Sequence, residues 1–379
     1  MNETVFRNAR MVLAESMHDG DIVIRGETIA EIGDPGSGRD GHDLEGDYLL
    51  PGLVELHTDH LESHYAPRPG VRWNPAVAVQ AHDAQIAGSG ITTVLDALRV
   101  GADEDARVDA DEMRSLADAI EECQVRDRLR AEHFIHLRCE VSASDVMEGF
   151  ARFDDDRRVR LVSLMDHTPG QRQFVSFDAY KLYYQGKTGM PDEEFQAFVD
   201  RRLADAGRWA PGHRKALSEA CRARGIVLAS HDDATEVHVA EAVEQGVHLA
   251  EFPTTMAAAR ASHAAGMQVL MGAPNVVRGG SHSGNVAAAE LASVGVLDVL
   301  SSDYVPFSLL QATFILAEEP HGLSLPEAAA MVTSKPAEAV GLFDRGVIAP
   351  GKRADLIQVR LDEGVPVVRS VWRQGRRVA

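Results

Sequence analysis

The sequence predicts an α/β fold, a distorted (β/α)8 TIM barrel with a small β-sandwich built from both chain termini. Three observations lead there. Apolar runs of strand length recur between residues 53 and 303, with amphipathic helical stretches between most of them. That texture implies a parallel sheet covered on both faces, and a run of eight such strands favours a closed barrel over an open doubly wound sheet. Metal-ligand residue types collect at the carboxyl ends of these runs, the rim on which such barrels build active sites. Finally, both chain ends carry short β-like runs and turns without helical periodicity.

Taken in order, residues 1–50 alternate runs such as Asp21-Ile-Val-Ile and Ile29-Ala-Glu-Ile with the turn signals Gly26-Glu and Asp34-Pro-Gly-Ser-Gly. The barrel strands fall at 53–57, 93–97, 134–140, 161–167, 226–231, 248–253, 268–272 and 298–303. Helical stretches fall at 109–130, 192–206, 212–224, 236–245 and 285–294. β texture returns after about residue 343, so 1–50 and 344–379 form the accessory domain around a barrel of 51–343.

Composition narrows the function. The chain has 379 residues, 45% of them hydrophobic, enough for a large core. A net charge of −20 argues against nucleic acid or an anionic membrane as partner. The expected partner is a small molecule, and a homo-oligomer is left open. Three scattered cysteines argue against a disulfide framework, and Cys139 reads as a packed core thiol. No basic segment followed by an apolar run opens the chain, and no apolar stretch of about 18 residues occurs, so the expected location is the cytoplasm.

The most informative segment is Pro51-Gly-Leu-Val-Glu-Leu-His57-Thr-Asp59-His60. On a strand, His57 and Asp59 point to the same side, and an imidazole beside a carboxylate suits a divalent transition metal. Other strand ends add Asp96, Glu140, His167, His231-Asp232-Asp233, Glu251, Asn275 and Asp303. The candidate ligands are His57, Asp59, Glu140, His167, His231 and Asp303, with Glu140 as a bridging carboxylate between two ions. Zinc, manganese and iron all fit. Asp232 and Asp233 read either as groups orienting a ligand or as helix caps. His64, His82, His133, His136, His238 and His263 read as solvated or core histidines.

The Pro51–His57 string after a β-rich start, the barrel, and the late Gly346-Val-Ile-Ala-Pro-Gly-Lys-Arg-Ala-Asp-Leu resemble the amidohydrolase superfamily. Its usual first-strand His-x-His has Asp59 in third place here, and its sixth-strand His is replaced in Glu251-Phe-Pro-Thr-Thr. Met165-Asp-His-Thr-Pro-Gly-Gln-Arg-Gln-Phe, Ser230-His-Asp-Asp, Gly279-Gly-Ser-His-Ser-Gly-Asn and Ser301-Ser-Asp-Tyr narrow the resemblance. They are similar to the phosphonate-catabolism diphosphatases of the carbon–phosphorus lyase pathway. That resemblance implies metal-dependent hydrolysis of a phosphoanhydride in a 5-triphosphorylated ribose phosphonate, with release of pyrophosphate. It assigns the eighth-strand carboxylate, Asp303, to orienting or deprotonating the hydrolytic water. The alternatives are a cyclic amidase or deaminase of the same superfamily, and a non-catalytic metal-binding subunit.

A triphosphate calls for cationic donors. Arg278 and His282 sit in a glycine-rich loop whose backbone N–H groups suit anions. Arg172 follows His167 closely. Lys181 and Lys187 lie in a long insertion after the fourth strand, expected as a lid.

Overall fold

The computed structural model describes residues 3–36, 39–101, 108–170, 172, 180–181, 184–186, 189–281, 284–318 and 322–379. Eight parallel strands form the barrel: β6 (Leu53–Thr58), β7 (Ile91–Val100), β8 (Glu132–Glu140), β9 (Val159–Met165), β10 (Val227–His231), β11 (Leu249–Glu251), β12 (Gln268–Gly272) and β13 (Val299–Ser301). They pair in sequence order. The ring is drawn shut where Asp303 bridges Thr58: the Asp303 N–H donates to the His57 carbonyl (3.0 Å) and the Asp59 N–H to the Asp303 carbonyl (3.3 Å).

The sequence makes this architecture because its strands are apolar on both faces. One buried cluster takes residues from every barrel strand: Val54, Leu56, Leu95, Phe134, Leu161, Ala229, Leu249, Leu270 and Val299. The opposite faces meet helices through two larger clusters. Among the covering helices are α1 (His60–Tyr65), α2 (Pro75–Gly88), α3 (Ala110–Val125) and α4 (Val146–Ala151). α3 starts one residue after the expected position because Asp109 is its N-cap, in a capping box with Glu112.

Strands from both ends build a second eight-stranded sheet from β1 (Glu3–Val12), β2 (Met17–Arg25), β3 (Thr28–Gly33), β4 (His42–Asp43), β5 (Tyr48–Pro51), β14 (Leu356–Asp362), β15 (Val365–Arg373) and β16 (Arg376–Arg377). β5 and β14 pair antiparallel and so join the two chain ends. Phe6 and Trp372, from opposite termini, pack with ring centres 4.5 Å apart. Gly52 links this sheet to β6, where a Cβ would meet the Thr92 side chain at 2.2 Å, so the crossing needs glycine.

Several boundaries differ from expectation. The stretches at 192–206 and 212–224 are one helix, Asp192–Arg224, which runs through Pro211. A proline removes one backbone bond and kinks a helix, but buried residues on both sides, from Phe195 to Cys221, hold this one together. The helix expected at 285–294 is the short Ala288–Ser293, whose first N–H is accepted by the Asn275 side chain (2.9 Å). Among the described residues no helix is long and apolar enough to cross a membrane. Cys139 is buried, and burial pushes its thiol well above the ordinary range.

Candidate metal centre

The six candidate ligands form a continuous arc along the carboxyl rim. Asp59 and Asp303 are linked through the backbone bond that closes the barrel. The same junction ties Asp303 to His57. The His57 and His231 rings lie 5.7 Å apart and nearly parallel, and His231 meets His167 edge-on at 6.0 Å. His167 Nδ1 lies 2.7 Å from Glu140 Oε2, while Glu140 Oε1 accepts from the Ser142 hydroxyl (2.5 Å). Both oxygens of the expected bridging carboxylate therefore have protein partners.

The centre of the arc is organised by Glu251, a residue outside the candidate set. It is fully buried at the end of β11. Its Oε1 lies 3.1 Å from His57 Nδ1 and its Oε2 3.1 Å from His231 Nδ1. A carboxylate only accepts, so both imidazoles carry their proton on Nδ1 and leave Nε2 bare for a cation. This is the usual second partner of a metal-bound histidine. Burial alone would raise the Glu251 carboxyl, but His57 and His231, which hydrogen-bond it, hold it well below the ordinary range, so it stays ionised. Ser163 Oγ lies 2.5 Å from Glu251 Oε2 and 2.5 Å from His136 Nε2. His136, set aside on sequence, therefore belongs to this buried network. Burial pushes its ring down to about 3, so it is neutral.

Glu55 is a second carboxylate that strand periodicity did not single out. Its oxygens accept from the backbone N–H of His57 and of Ser302, each at 2.6 Å, which locks the first and last strands beneath the rim. Burial pushes its carboxyl up to about 8 against those bonds. The only signal in the sequence is a lone Glu in an apolar run.

Backbone geometry corrects one expectation. β6 ends at Thr58, and Asp59 stands at the N-cap position of α1 with φ −98° and ψ 12°. Asp59 thus leaves the strand and its side chain meets Arg138 Nη1 at 3.3 Å. Asp303 and His167 likewise sit just past their strands, which end at Ser301 and Met165. Asp232, Phe252 and Asp303, each following a strand end, take φ of 57°, 53° and 55°. Left-handed backbone at non-glycine residues is costly and gathers at functional rims. The Asp303 carboxyl is raised by burial first and by the nearby Asp59 charge, with His57 and Arg138 opposing.

The cationic candidates are less assembled. Arg172 is buried with its guanidinium on Asp233 and on Glu241 (2.8 Å). Arg214 Nη2 lies 3.0 Å from Asp166 Oδ2. Lys181 Nζ lies 2.9 Å from Asp192 Oδ1. Arg278 is exposed and has no side-chain partner among the described residues. Lys187 and His282 lie outside the described residues.

The donors at the rim are the kind that divalent transition metals take, imidazole nitrogen with carboxylate oxygen. Among the described residues, His167, His231 and Asp232 bring one ligand atom each within 4.8 Å of one another, as do His57, His136 and Glu251. With Nε2 of His57 and of His231 bare, the residues fit such an ion.

Known proteins agree with this architecture. Alpha-D-ribose 1-methylphosphonate 5-triphosphate diphosphatase of Escherichia coli (strain K12) is 47% identical over 376 residues, covering 99% of this chain and 100% of that protein. Among solved structures, N-acetylglucosamine-6-phosphate deacetylase from Pasteurella multocida superposes with a TM-score of 0.65 at 15% identity over 99% of each chain. The 5-methylcytosine deaminase from Klebsiella pneumoniae does so with a TM-score of 0.65 at 15% identity, over 99% of this chain and 98% of that one. Those two share the fold at low identity. The amidohydrolase family model matches residues 48–378. With a family match over the whole barrel and a full-length relative at that identity, this chain belongs to the amidohydrolase family.

Proposed function

We propose that this chain is a metal-dependent diphosphatase of phosphonate catabolism, working in the cytoplasm. It hydrolyses a phosphoanhydride of α-D-ribose 1-methylphosphonate 5-triphosphate and releases pyrophosphate. The observation that carries this reading is the 47% identity to the Escherichia coli diphosphatase over all of that protein's length. The arc of donors at the barrel mouth supports it.

In this reading His57 and His231 (through Nε2), with His167, Glu140, Asp59 and Asp303, hold one or two divalent ions of the zinc, manganese or iron class. A bound ion supplies a more acidic water and a positive charge beside the phosphoryl oxygens. The protein's own part is positional. Glu251 fixes two imidazoles, and the junction between Asp303 and β6 sets the carboxylate at the same rim. Asp303 takes the proton of the attacking water. For the triphosphate we assign Arg278, Lys181, Lys187 and His282, and Arg172 only as a guanidinium that must first leave Asp233 and Glu241.

The test is pyrophosphate release from the 5-triphosphorylated ribose phosphonate by native, chelator-treated and metal-restored enzyme. Activity that falls with chelator and returns with metal supports the reading. Equal rates in native and chelated samples remove the metal from it. Absence of pyrophosphate in all three removes the substrate.

A further inference from the structure

Two arginines stand side by side on the inner wall of the barrel, at its mouth. β7 and β8 pair without a register break from Thr93 opposite Glu132 to Val100 opposite Cys139, and that register sets Arg99 beside Arg138. Alternation along each strand gives the face. Leu95 of β7 and Phe134 of β8 lie in the cluster that fills the barrel, so Ala97 and Arg99 follow on the same side, as do His136, Arg138 and Glu140. The contacts of β8 agree. His136 reaches Ser163, Arg138 Nε donates to Met165 Sδ (3.4 Å), and Glu140 reaches His167. Paired strands lie about 4.8 Å apart, so both guanidinium groups leave adjacent points of one wall.

Such a pair is costly by itself, because like charges at neighbouring strand positions repel. The turn into α1 supplies two carboxylates against it. Arg138 Nη1 lies 3.3 Å from Asp59 Oδ2, and Arg99 Nη2 lies 3.9 Å from Glu62 Oε1. The side chains of Arg99 and Arg138 are 22% and 13% exposed, so both open on the mouth from a wall that is otherwise closed. Burial raises the Asp303 carboxyl and the Arg138 charge opposes that rise, which sets this wall against the candidate metal ligands.

The fold does not require this arrangement for cohesion. The backbone ladder between β7 and β8 is continuous. α1 is already held by its packing on α2 and by buried Leu61 and Tyr65.

We propose that Arg99, with Arg138 beside it, forms the subsite for the polyphosphate end of the substrate. Arg138 stays on Asp59 and contributes charge. Arg99 turns its planar fork to two phosphoryl oxygens, a bidentate geometry that guanidinium offers and ammonium does not. Glu62 competes with the phosphate for that fork. The assignment rests on the diphosphatase reading and names a binding residue for it on β7.

Pyrophosphate is titrated by calorimetry into full-length, metal-loaded wild type, Arg99→Met, Arg99→Lys and Glu62→Gln. Circular dichroism checks the fold, and elemental analysis checks that each variant holds as much metal as wild type. Arg99→Met is expected to bind pyrophosphate about 10–100-fold more weakly. Arg99→Lys, which keeps the charge and fits the site with least disturbance, is expected to lie between. Glu62→Gln is expected to bind more tightly than wild type, because it removes the competitor. With the triphosphate as substrate, Arg99→Lys is expected to raise KM more than it lowers kcat. Methylphosphonate, titrated in parallel, is expected to distinguish wild type from Arg99→Met little. Unchanged pyrophosphate affinity in Arg99→Met and Arg99→Lys overturns the proposal. Equal weakening in Arg99→Met and Glu62→Gln overturns it too, since the pair is then only a strut for α1. Pyrophosphate binding that depends on Arg99, in a protein that releases no pyrophosphate from the triphosphate, supports the subsite and removes the diphosphatase reading.

Discussion

Replacing Glu251 with Gln tests the organisation of the rim most directly. The side chain is fully buried, with Oε1 3.1 Å from His57 Nδ1 and Oε2 3.1 Å from His231 Nδ1. An amide has the same shape, but only one of its two ends accepts a hydrogen bond. One imidazole therefore faces an NH2 group and loses the bond that keeps its proton on Nδ1. A hydrogen bond to a charged group contributes about 1.5–3 kcal/mol. Losing the carboxylate behind a metal-bound histidine typically costs about 10–100-fold in metal affinity, which is about 1.4–2.7 kcal/mol and agrees with the first figure. The assay is competition for zinc between the protein and a chromophoric chelator, with circular dichroism to confirm the fold. Ser163→Ala, which removes only the hydroxyl beside Oε2, is expected to weaken binding less. A folded Glu251→Gln protein with wild-type zinc affinity would refute the claim that this carboxylate sets the two imidazoles.

Three further outcomes follow from particular contacts. Asp303→Asn is expected to lower kcat by about 10²–10⁴-fold, with the CD spectrum unchanged, as measured by steady-state pyrophosphate release. Glu132→Gln breaks a joint between the accessory sheet and the barrel, where Glu132 Oε2 receives Arg345 Nη1 (2.7 Å) and Arg353 Nη1 (2.6 Å). Removing one partner of a buried pair costs about 3–5 kcal/mol, and the 30% exposure of Glu132 reduces the expected loss to about 2 kcal/mol, read by urea denaturation. Burial raises the Glu132 carboxyl, but Arg345 and Arg353 outweigh it and leave it below its ordinary value. Its stabilisation is thus present above the unfolded carboxyl value of about 4.3 and lost as pH falls through the lower folded value. The gap in stability between wild type and Glu132→Gln should therefore narrow below about pH 4. Asp109→Ala removes the capping box of α3 and should cost about 1 kcal/mol, read as a fall in thermal midpoint.

The barrel was legible because strands buried on both faces leave near-continuous apolar runs, as Val54, Leu56, Leu161 and Leu270 show. The passage through Pro211 was not, because the rule that proline stops a helix is local and the packing that overrides it is not. The ligand types at strand ends were readable for the same reason as the strands. Glu251 was visible as a strand-end carboxylate and as a missing histidine, but not as the group that sets two imidazoles. Its partners His57 and His231 lie 194 and 20 residues away, and no periodicity connects them. Asp59 marks the limit of strand parity: alternation places it beside His57, but the chain has already turned towards α1, and the carboxylate lies 3.3 Å from Arg138 Nη1.

That pairing bears on how a chain with net charge −20 holds a polyphosphate. Most of the arginines near the described rim are committed to carboxylates: Arg138 to Asp59, Arg172 to Asp233 and Glu241, Arg214 to Asp166. A guanidinium already neutralised by a buried partner attracts a phosphate weakly, and releasing it would strand the partner's charge. Arg278, exposed and unpartnered among the described residues, stands apart from this pattern. Under the proposed function, then, positive charge at the mouth comes chiefly from the divalent ions. They serve binding as well as hydrolysis, and metal removal should weaken substrate affinity and not turnover alone.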